Sequence, residues 1–195
     1  MTVVLRLLAD IRNFGALSDT VEPKRVVTLL NCMFDAIVPM IEAEGGEVLK
    51  YIGDGVLAVF DAAGGDARAR NAAFRSARAA LAAVARTNDL PAIEIALHVG
   101  EVAYGNLGAG DRLDFTAIGQ DVLVRVKALC RLFSRALLAT GAFAEGLPLS
   151  LEPVDTVVLR GFANPYTLLG LQEETIWKGE RNEQIFLLDC PSGRK

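Results

Sequence analysis

The sequence predicts an α+β fold in which helices pack on one face of an antiparallel β-sheet. Two observations lead to this prediction. The chain reads as strand, helix, hairpin, helix and strand, an order typical of a βαββαβ sandwich with further strands. Its 195 residues, 52% of them hydrophobic and 23% charged, are also enough for one domain with a full core.

The first elements are indicated by apolar runs and helix signals. Residues 2–10 (TVVLRLLAD) form an apolar, β-branched strand that ends in the charged Asp10. Residues 11–20 are rich in turn formers, so we expect a loop there. Pro23 then occupies a first helical position, and apolar side chains recur on one face up to a Gly-Gly pair. This pattern predicts a helix over residues 23–43.

A hairpin and a second helix follow. Residues 45–60 (GGEVLKYIGDGVLAVF) read as two apolar strands around a turn at Gly53, Asp54 and Gly55. The Ala-rich and Arg-rich segment over residues 65–87 predicts a helix, and its small side chains suit close packing on a sheet.

The later elements are a strand over residues 92–100, which continues into a glycine-bounded strand pair, a short helix near 119–132 and a strand at 135–140. We expect residues 1–172 to form the domain. Residues 173–195 are expected to be a C-terminal extension of the same domain, either an arm or a terminal strand pair.

Composition excludes several classes of function. A net charge of -4 and a pI near 5.1 argue against nucleic acid as a partner, because phosphate binding needs clustered Lys and Arg. No apolar run approaches the roughly 18 to 20 residues of a membrane helix, so we expect a cytoplasmic protein without a membrane segment. The cysteines lack the spacing of a disulfide framework or zinc site; they are Cys32, Cys130 and Cys190.

Two aspartates stand where strands end. Asp10 closes the first strand and Asp54 caps the hairpin, so the carboxylates converge at one edge of the sheet if these strands are neighbours. Two hard oxygen ligands favour Mg²⁺. The tight turn from Ile11 to Gly15 leads towards a helix, where free backbone N–H groups suit phosphate oxygens. A metal beside a phosphate cradle is typical of phosphoryl or nucleotidyl transfer.

Each of these residues also has a simpler interpretation. An aspartate in a Gly-Asp-Gly turn is more often turn chemistry than a metal ligand, and one at a strand end is usually a solvated terminus or a helix cap. Lys50 alone is a solvated strand charge in most proteins. His98, the only histidine, is more often a packed residue than a base. Spacing alone leaves both interpretations of the aspartates open.

Four segments carry a more specific signal: ADIRNFGALSD, LLNCMFDAIVPMIEAEGGEVLKYIGDGVLAVF, ALHVGEVAYGNLGAGDRLDFTAIG and VVLRGF. In this order and with these separations they resemble the catalytic domain of the class III nucleotidyl cyclases, the adenylyl and guanylyl cyclase family. The resemblance covers most of residues 3–170. It implies a ferredoxin-like α+β core with additional strands.

The resemblance also implies a metal site and a triphosphate site. Asp10 and Asp54 would hold two Mg²⁺ or Mn²⁺ ions, with a backbone carbonyl from Ile11. The backbone amides facing the triphosphate would be those of Asn13, Phe14 and Gly15. Arg160 stands where the family usually has a triphosphate-binding lysine, and a guanidinium keeps that charge.

Lys50 and Thr116 would recognise the base. A lysine donating to a ring nitrogen and a threonine accepting from the exocyclic amine suit adenine, so the resemblance favours ATP over GTP. In the family, one chain of a dimer supplies the metal aspartates and the other supplies the base-reading and transition-state residues. The expected partner is therefore a second copy of this chain or another cyclase-type chain.

Two positions depart from the family pattern. Where the family has an asparagine that orients the ribose and an arginine that stabilises the pentavalent phosphorus, this sequence has Leu123 and Lys127. Leucine donates no hydrogen bond, and lysine lacks the planar fork that binds phosphate bidentately. Losing one such donor typically costs about 100- to 1,000-fold in rate. Alternatively, Leu123 is a core residue on a rebuilt helix.

Three interpretations stay open at this point. The protein is an adenylyl cyclase that converts ATP to cyclic AMP and pyrophosphate, a metal-supplying half of a heterodimer, or a nucleotide-binding or interaction module without catalysis.

Overall fold

The computed structural model describes residues 2–62, 66–87, 89–109, 112–118, 122–147 and 151–171. The strands within these ranges are β1 (Thr2–Ile11), β2 (Glu47–Ile52), β3 (Gly55–Asp61), β4 (Ile93–Ala109), β5 (Arg112–Ile118), β6 (Leu137–Thr140), β7 (Leu151–Val158) and β8 (Pro165–Leu171). The helices are α1 (Phe14–Thr20), α2 (Pro23–Glu42), α3 (Asp66–Arg86), α4 (Val122–Leu132) and α5 (Gly141–Ala144). The expected C-terminal extension, residues 173–195, lies outside the described residues.

The strands form one sheet in the order β2-β3-β1-β4-β6-β8-β7, and β5 pairs with the second half of β4. The first four strands together with α2 and α3 give the predicted βαββαβ core, so the α+β class is confirmed. In this order β1 lies between β3 and β4. The strand that ends in Asp10 is therefore central, and the hairpin that carries Asp54 lies directly beside it.

Two details of the predicted architecture are wrong. The β4–β6 pair is parallel, while the other described pairs are antiparallel, so the sheet is mixed. Helices also cover both faces, because α4 packs opposite α2 and α3. An apolar helix face shows in a sequence, but which side of the sheet it covers depends on the connections around it.

Side chains along β1 point alternately to the two faces of the sheet, and this explains the two hydrophobic cores. Leu5 and Leu7 belong to a large core with α2 and α3, where small side chains of α3 such as Ala73 and Ala77 allow close packing. Leu8, on the other face, belongs to a second core with α4. No helix among the described residues is both long and apolar enough to cross a bilayer.

Helix boundaries follow local signals where those signals are strong. α2 begins at Pro23 and ends before Gly45, whose φ of 78° is the left-handed conformation of a helix C-terminus. The loop expected over residues 11–20 is instead largely the short helix α1. Asn13, in the left-handed conformation at φ 57°, precedes it. A helix of seven residues leaves too little apolar periodicity to be recognised.

Two of the three cysteines lie among the described residues, and both are buried. Cys130 of α4 is a free thiol in the second core, and burial raises its pKa. Cys32 lies on α2.

Candidate active site

The turn between β2 and β3 brings Asp54 to the end of β1. Gly53 has a φ of 60°, a left-handed conformation that favours glycine. A Cβ at Gly55 would lie 3.1 Å from the carbonyl oxygen of Ala9, so the absence of a side chain lets the turn pack closely on β1. As a result the Ile11 amide donates a hydrogen bond of 3.1 Å to Asp54 Oδ2.

Asp10 and Asp54 meet at this edge of the sheet, as the strand order requires. Burial, followed by the hydrogen bond and negative charge of Asp10, raises the pKa of Asp54 to about 7. The Asp10 side chain is only 15% exposed, and its Oδ1 atom is buried without a hydrogen-bond partner among the described residues. Two crowded carboxylates with a spare oxygen therefore lie where the sequence places them.

Lys127 of α4 also reaches this edge. Its ammonium forms an ion pair with Asp10 Oδ2, and its side chain is 22% exposed. The lysine at the family's transition-state position thus contacts a metal-candidate carboxylate of its own chain.

Two charged residues of the site were missed by sequence reasoning. Glu94 of β4 stands opposite Asp10 in the strand register and is 5% exposed. Arg12 Nε lies 3.5 Å from Glu94 Oε1. Burial raises the pKa of Glu94, while the charges of Arg12 and Lys127 oppose that rise. A lone carboxylate in the apolar strand AIEIALHVG was the only available signal, and its register with Asp10 cannot be read from the sequence.

The residues at this edge fit a divalent cation. A cation would satisfy the unpaired oxygen of Asp10 and relieve the repulsion that raises the pKa of Asp54. Among the described residues, no three His, Cys, Asp or Glu side chains group as metal ligands. One or two carboxylates, completed by water and substrate phosphates, are nevertheless the usual protein share of a Mg²⁺ site.

The segment expected to bind phosphate starts α1. Asn13 and Gly15 are exposed, and Phe14 between them packs on the large core. The first amides of an α-helix have no partner within the helix. They follow Ile11 directly in the chain, so this turn lies beside the paired aspartates.

The two residues expected to recognise the base come from two strands that approach each other. Lys50 of β2 stands opposite Leu57, which packs on the second core, so Lys50 lies on the same sheet face as Asp10. Thr116 stands opposite Gly105 in the β4–β5 ladder. Cα atoms of β2 and β5 come within 8 Å. The Thr116 side chain lies outside the described part of the chain.

Arg160 is not brought to the aspartates. It is exposed and follows β7 in the turn that leads to β8. The register across the sheet puts this turn at the end opposite to Asp10. A single chain therefore does not join Arg160 to the metal-candidate edge.

Leu123 and His98 are both buried. Leu123, 3% exposed, packs in the second core with Val126 and Leu8, which supports its interpretation as a core residue. His98 Nδ1 lies 2.9 Å from Thr140 Oγ1. Burial, and then the nearby charge of Arg6, lowers the pKa of His98 to about 4, in keeping with a packed histidine.

Known proteins resemble this chain in sequence and in fold. The chain is 30% identical over 149 residues to Adenylate cyclase 1 of Rhizobium meliloti (strain 1021), a match that covers 71% of this chain and 22% of that protein. Its fold is similar to the crystal structure of the adenylyl cyclase CyaB from P. aeruginosa, with a TM-score of 0.76 and 20% identity over 90% of this chain and 96% of that one. The guanylyl cyclase Cya2 gives a TM-score of 0.70 and 21% identity, covering 89% of this chain and 94% of that one.

The chain spans less than a third of the length of Adenylate cyclase 1 and of a second curated relative, from Mycobacterium tuberculosis (strain CDC 1551 / Oshkosh). A family model described as the adenylate and guanylate cyclase catalytic domain matches residues 2–125. That range includes Asp10, Lys50, Asp54, Thr116 and Leu123 and ends before Lys127. This chain belongs to the adenylate and guanylate cyclase catalytic domain family.

Proposed function

We propose that the protein is an adenylate cyclase that converts ATP to cyclic AMP and pyrophosphate at a dimer interface. The observation that carries the proposal is the pairing of Asp10 and Asp54 at one edge of the sheet, with an unpaired buried oxygen on Asp10. In the reaction the ribose 3′-oxygen bonds to the α-phosphorus, the bond from that phosphorus to the bridging oxygen breaks, and the hydroxyl proton is released.

Asp10, Asp54 and the carbonyl of Ile11 would hold Mg²⁺ or Mn²⁺. When bound, such ions activate the attacking oxygen and neutralise the leaving pyrophosphate. The geometry of the chain supports this role, because the Ile11 amide holds Asp54 and the β1–β3 ladder holds Asp10 beside it. Preorganised ligands need no rearrangement during the reaction.

The triphosphate would lie against the amides that begin α1. The first amides of a helix attract anions, and they would be those of Asn13, Phe14 and Gly15. Arg160 would contact the triphosphate from the partner chain, because within one chain it lies at the far end of the sheet.

Adenine is the base we propose, on the chemistry of Lys50 and Thr116. An ammonium donates to a ring nitrogen of adenine and a threonine hydroxyl accepts from the exocyclic amine. The approach of β2 to β5 supports a shared base site. The fold does not decide between nucleotides, since both an adenylyl and a guanylyl cyclase resemble it.

A second candidate is a metal-supplying half of a heterodimer whose other chain carries the family's asparagine and arginine. Two observations favour it. Leu123 is buried in the second core, and Lys127 is paired with Asp10 of its own chain. A homodimer would then lack donors for the ribose and the transition state.

The test is cyclic AMP formation from ATP with excess Mn²⁺ over a range of protein concentrations. The Asp54→Asn variant removes one carboxylate of the pair, and Asp19→Asn, which neutralises an exposed carboxylate of α1, is the matched control. We expect turnover that rises more steeply than linearly with protein, is lost in Asp54→Asn and survives in Asp19→Asn. Unchanged turnover in Asp54→Asn refutes the metal role; no turnover in the wild type favours the heterodimer.

A further inference from the structure

The candidate metal site already contains a cation of the chain itself. The ammonium of Lys127 is paired with Asp10 Oδ2, and both side chains are largely removed from solvent, at 22% and 15% exposure. A divalent cation that takes Asp10 as a ligand must therefore compete with Lys127. Separating a lysine from its paired carboxylate in so sheltered a place would leave an uncompensated charge, which is strongly unfavourable.

Glu94 offers that lysine a second carboxylate. It stands opposite Asp10 in the β1–β4 ladder, and opposite residues of a ladder are roughly 4.5 to 5.5 Å apart at Cβ. Its Oε1 atom is buried without a hydrogen bond from the described part of the chain, since the contact to Arg12 Nε is 3.5 Å and thus longer than a good hydrogen bond. Lys127 already attracts the Glu94 carboxylate electrostatically.

We propose that Lys127 is a positioning residue that neutralises Asp10 until a divalent cation binds, and that Glu94 then accepts its ammonium. Lysine is suited to this movement because its charge sits on a flexible four-carbon stem with three rotatable donors. The inference rests on the proposed metal role of Asp10, and it adds an internal competitor and a receiving group, Lys127 and Glu94. Metal binding would thereby be coupled to the position of Lys127, the residue that replaces the family's transition-state arginine.

The first experiment measures Mn²⁺ affinity without nucleotide, by calorimetry and by the EPR signal of free Mn²⁺. Lys127→Met removes the competing charge at similar length, and Lys127→Arg is the matched control that keeps it. A positive charge in direct contact with a carboxylate, as Lys127 is with Asp10, changes the binding equilibrium of a competing cation at that carboxylate by about 10-fold or more. We therefore expect Lys127→Met to bind Mn²⁺ at least about 10-fold more tightly, and Lys127→Arg to stay within about 3-fold of the wild type.

The second experiment tests Glu94 through its dependence on Lys127. Glu94→Gln should weaken Mn²⁺ binding several-fold in the wild type, because the displaced ammonium loses its receiving carboxylate. The same change should have a clearly smaller effect in the Lys127→Met background, where no ammonium needs a place. Glu145→Gln, at an exposed carboxylate, controls for net charge. Equal effects of Glu94→Gln in the two backgrounds overturn the role of Glu94.

A third measurement uses unaltered Lys127 and so does not depend on the folding of its variants. Acylation by an amine-reactive ester, read by mass spectrometry, should be several-fold slower at Lys127 than at the exposed Lys24. Saturating Mn²⁺ should leave Lys127 protected in the wild type and accelerate its labelling in Glu94→Gln. Labelling of Lys127 as fast as Lys24 in metal-free protein overturns the inference.

The outcomes separate this inference from the proposed function. Mn²⁺ binding that Lys127→Met does not tighten overturns the inference and leaves the metal role in place. No Mn²⁺ binding in the wild type or in Lys127→Met overturns both. Tighter binding in Lys127→Met, in a protein that makes no cyclic AMP, supports the inference and refutes homodimeric activity.

Discussion

Leu123 gives the sharpest test of the site, because its position in the family pattern and its position in this structure disagree. If it faced substrate, shortening it would alter nucleotide binding and leave stability nearly unchanged. The structure instead buries it to 3% exposure among Leu8, Val126 and other members of the second core. Leu123→Ala should therefore reduce the free energy of unfolding and spare the Michaelis constant for ATP.

The size of the loss follows from burial. A fully buried Leu→Ala change costs roughly 2 to 5 kcal/mol, since the cavity left behind adds to the lost transfer free energy. The neighbouring Val124 is 43% exposed, so Val124→Ala should change stability by only about 0.5 kcal/mol. Leu123→Asn should cost at least as much as Leu123→Ala, because the amide would be buried among apolar side chains.

Urea denaturation at one fixed protein concentration measures both variants on the same helix. We expect a lower midpoint for Leu123→Ala than for Val124→Ala, with similar slopes. A loss below about 1 kcal/mol for Leu123→Ala would contradict its assignment to the core. A raised Michaelis constant without loss of stability would place the side chain at the substrate instead.

Three further changes have defined outcomes. His98 has a pKa of about 4 in the folded protein and about 6.5 in the unfolded chain, so the unfolded chain binds more protons between these pH values. The free energy of unfolding should therefore fall by up to about 3 kcal/mol from pH 6.5 to pH 4. Urea titrations at each pH measure this dependence, which should be weaker in His98→Gln. A Cβ at Gly46 would lie 2.6 Å from the Phe60 ring, so Gly46→Ala should cost about 1 to 3 kcal/mol in the same assay, and a neutral result would contradict the packing. Mixing the Asp54→Asn and Arg160→Ala variants should restore up to about a quarter of wild-type cyclic AMP formation. Half of the dimers would contain one chain of each variant, and each of these would hold one intact site of two. No restoration would contradict a site shared between chains.

Much of the fold was predictable because its signals are local. The apolar run of β1, the Gly-Asp-Gly turn and the start of α2 at Pro23 each depend on neighbouring residues only. The strand order was not predicted in the same way, because β1 and the hairpin are joined through α1 and α2. The sequence predicted that Asp10 and Asp54 meet only on the condition that their strands are neighbours, and the pairing of β1 with β3 fulfils that condition.

The rest depended on contacts between distant segments. The sequence of α4 shows an apolar face. Which face of the sheet α4 covers, however, depends on the whole connection from β4 to β6. Glu94 became part of the site only through its register with Asp10, and Lys127 only through the position of α4. One residue of slip in that register would turn Glu94 to the other face, so no local pattern can predict the pair.

If Arg160 and Asp10 serve one active site as proposed, the distance between them requires two chains. Arg160 lies in the turn between β7 and β8, and this turn ends at Pro165. When the strand registers are followed across β8, β6, β4 and β1, Pro165 lies in the same row of the sheet as Val3. Seven residues separate that row from Asp10, about 23 Å at the rise of a β-strand, which no arginine side chain spans. A two-fold dimer is self-complementary, so the Asp10 end of each chain can meet the Arg160 end of the other and form two equivalent sites. The pairing of Lys127 with Asp10 lies within one chain, so the proposed competition between Lys127 and a divalent cation would operate in each chain before a partner is present.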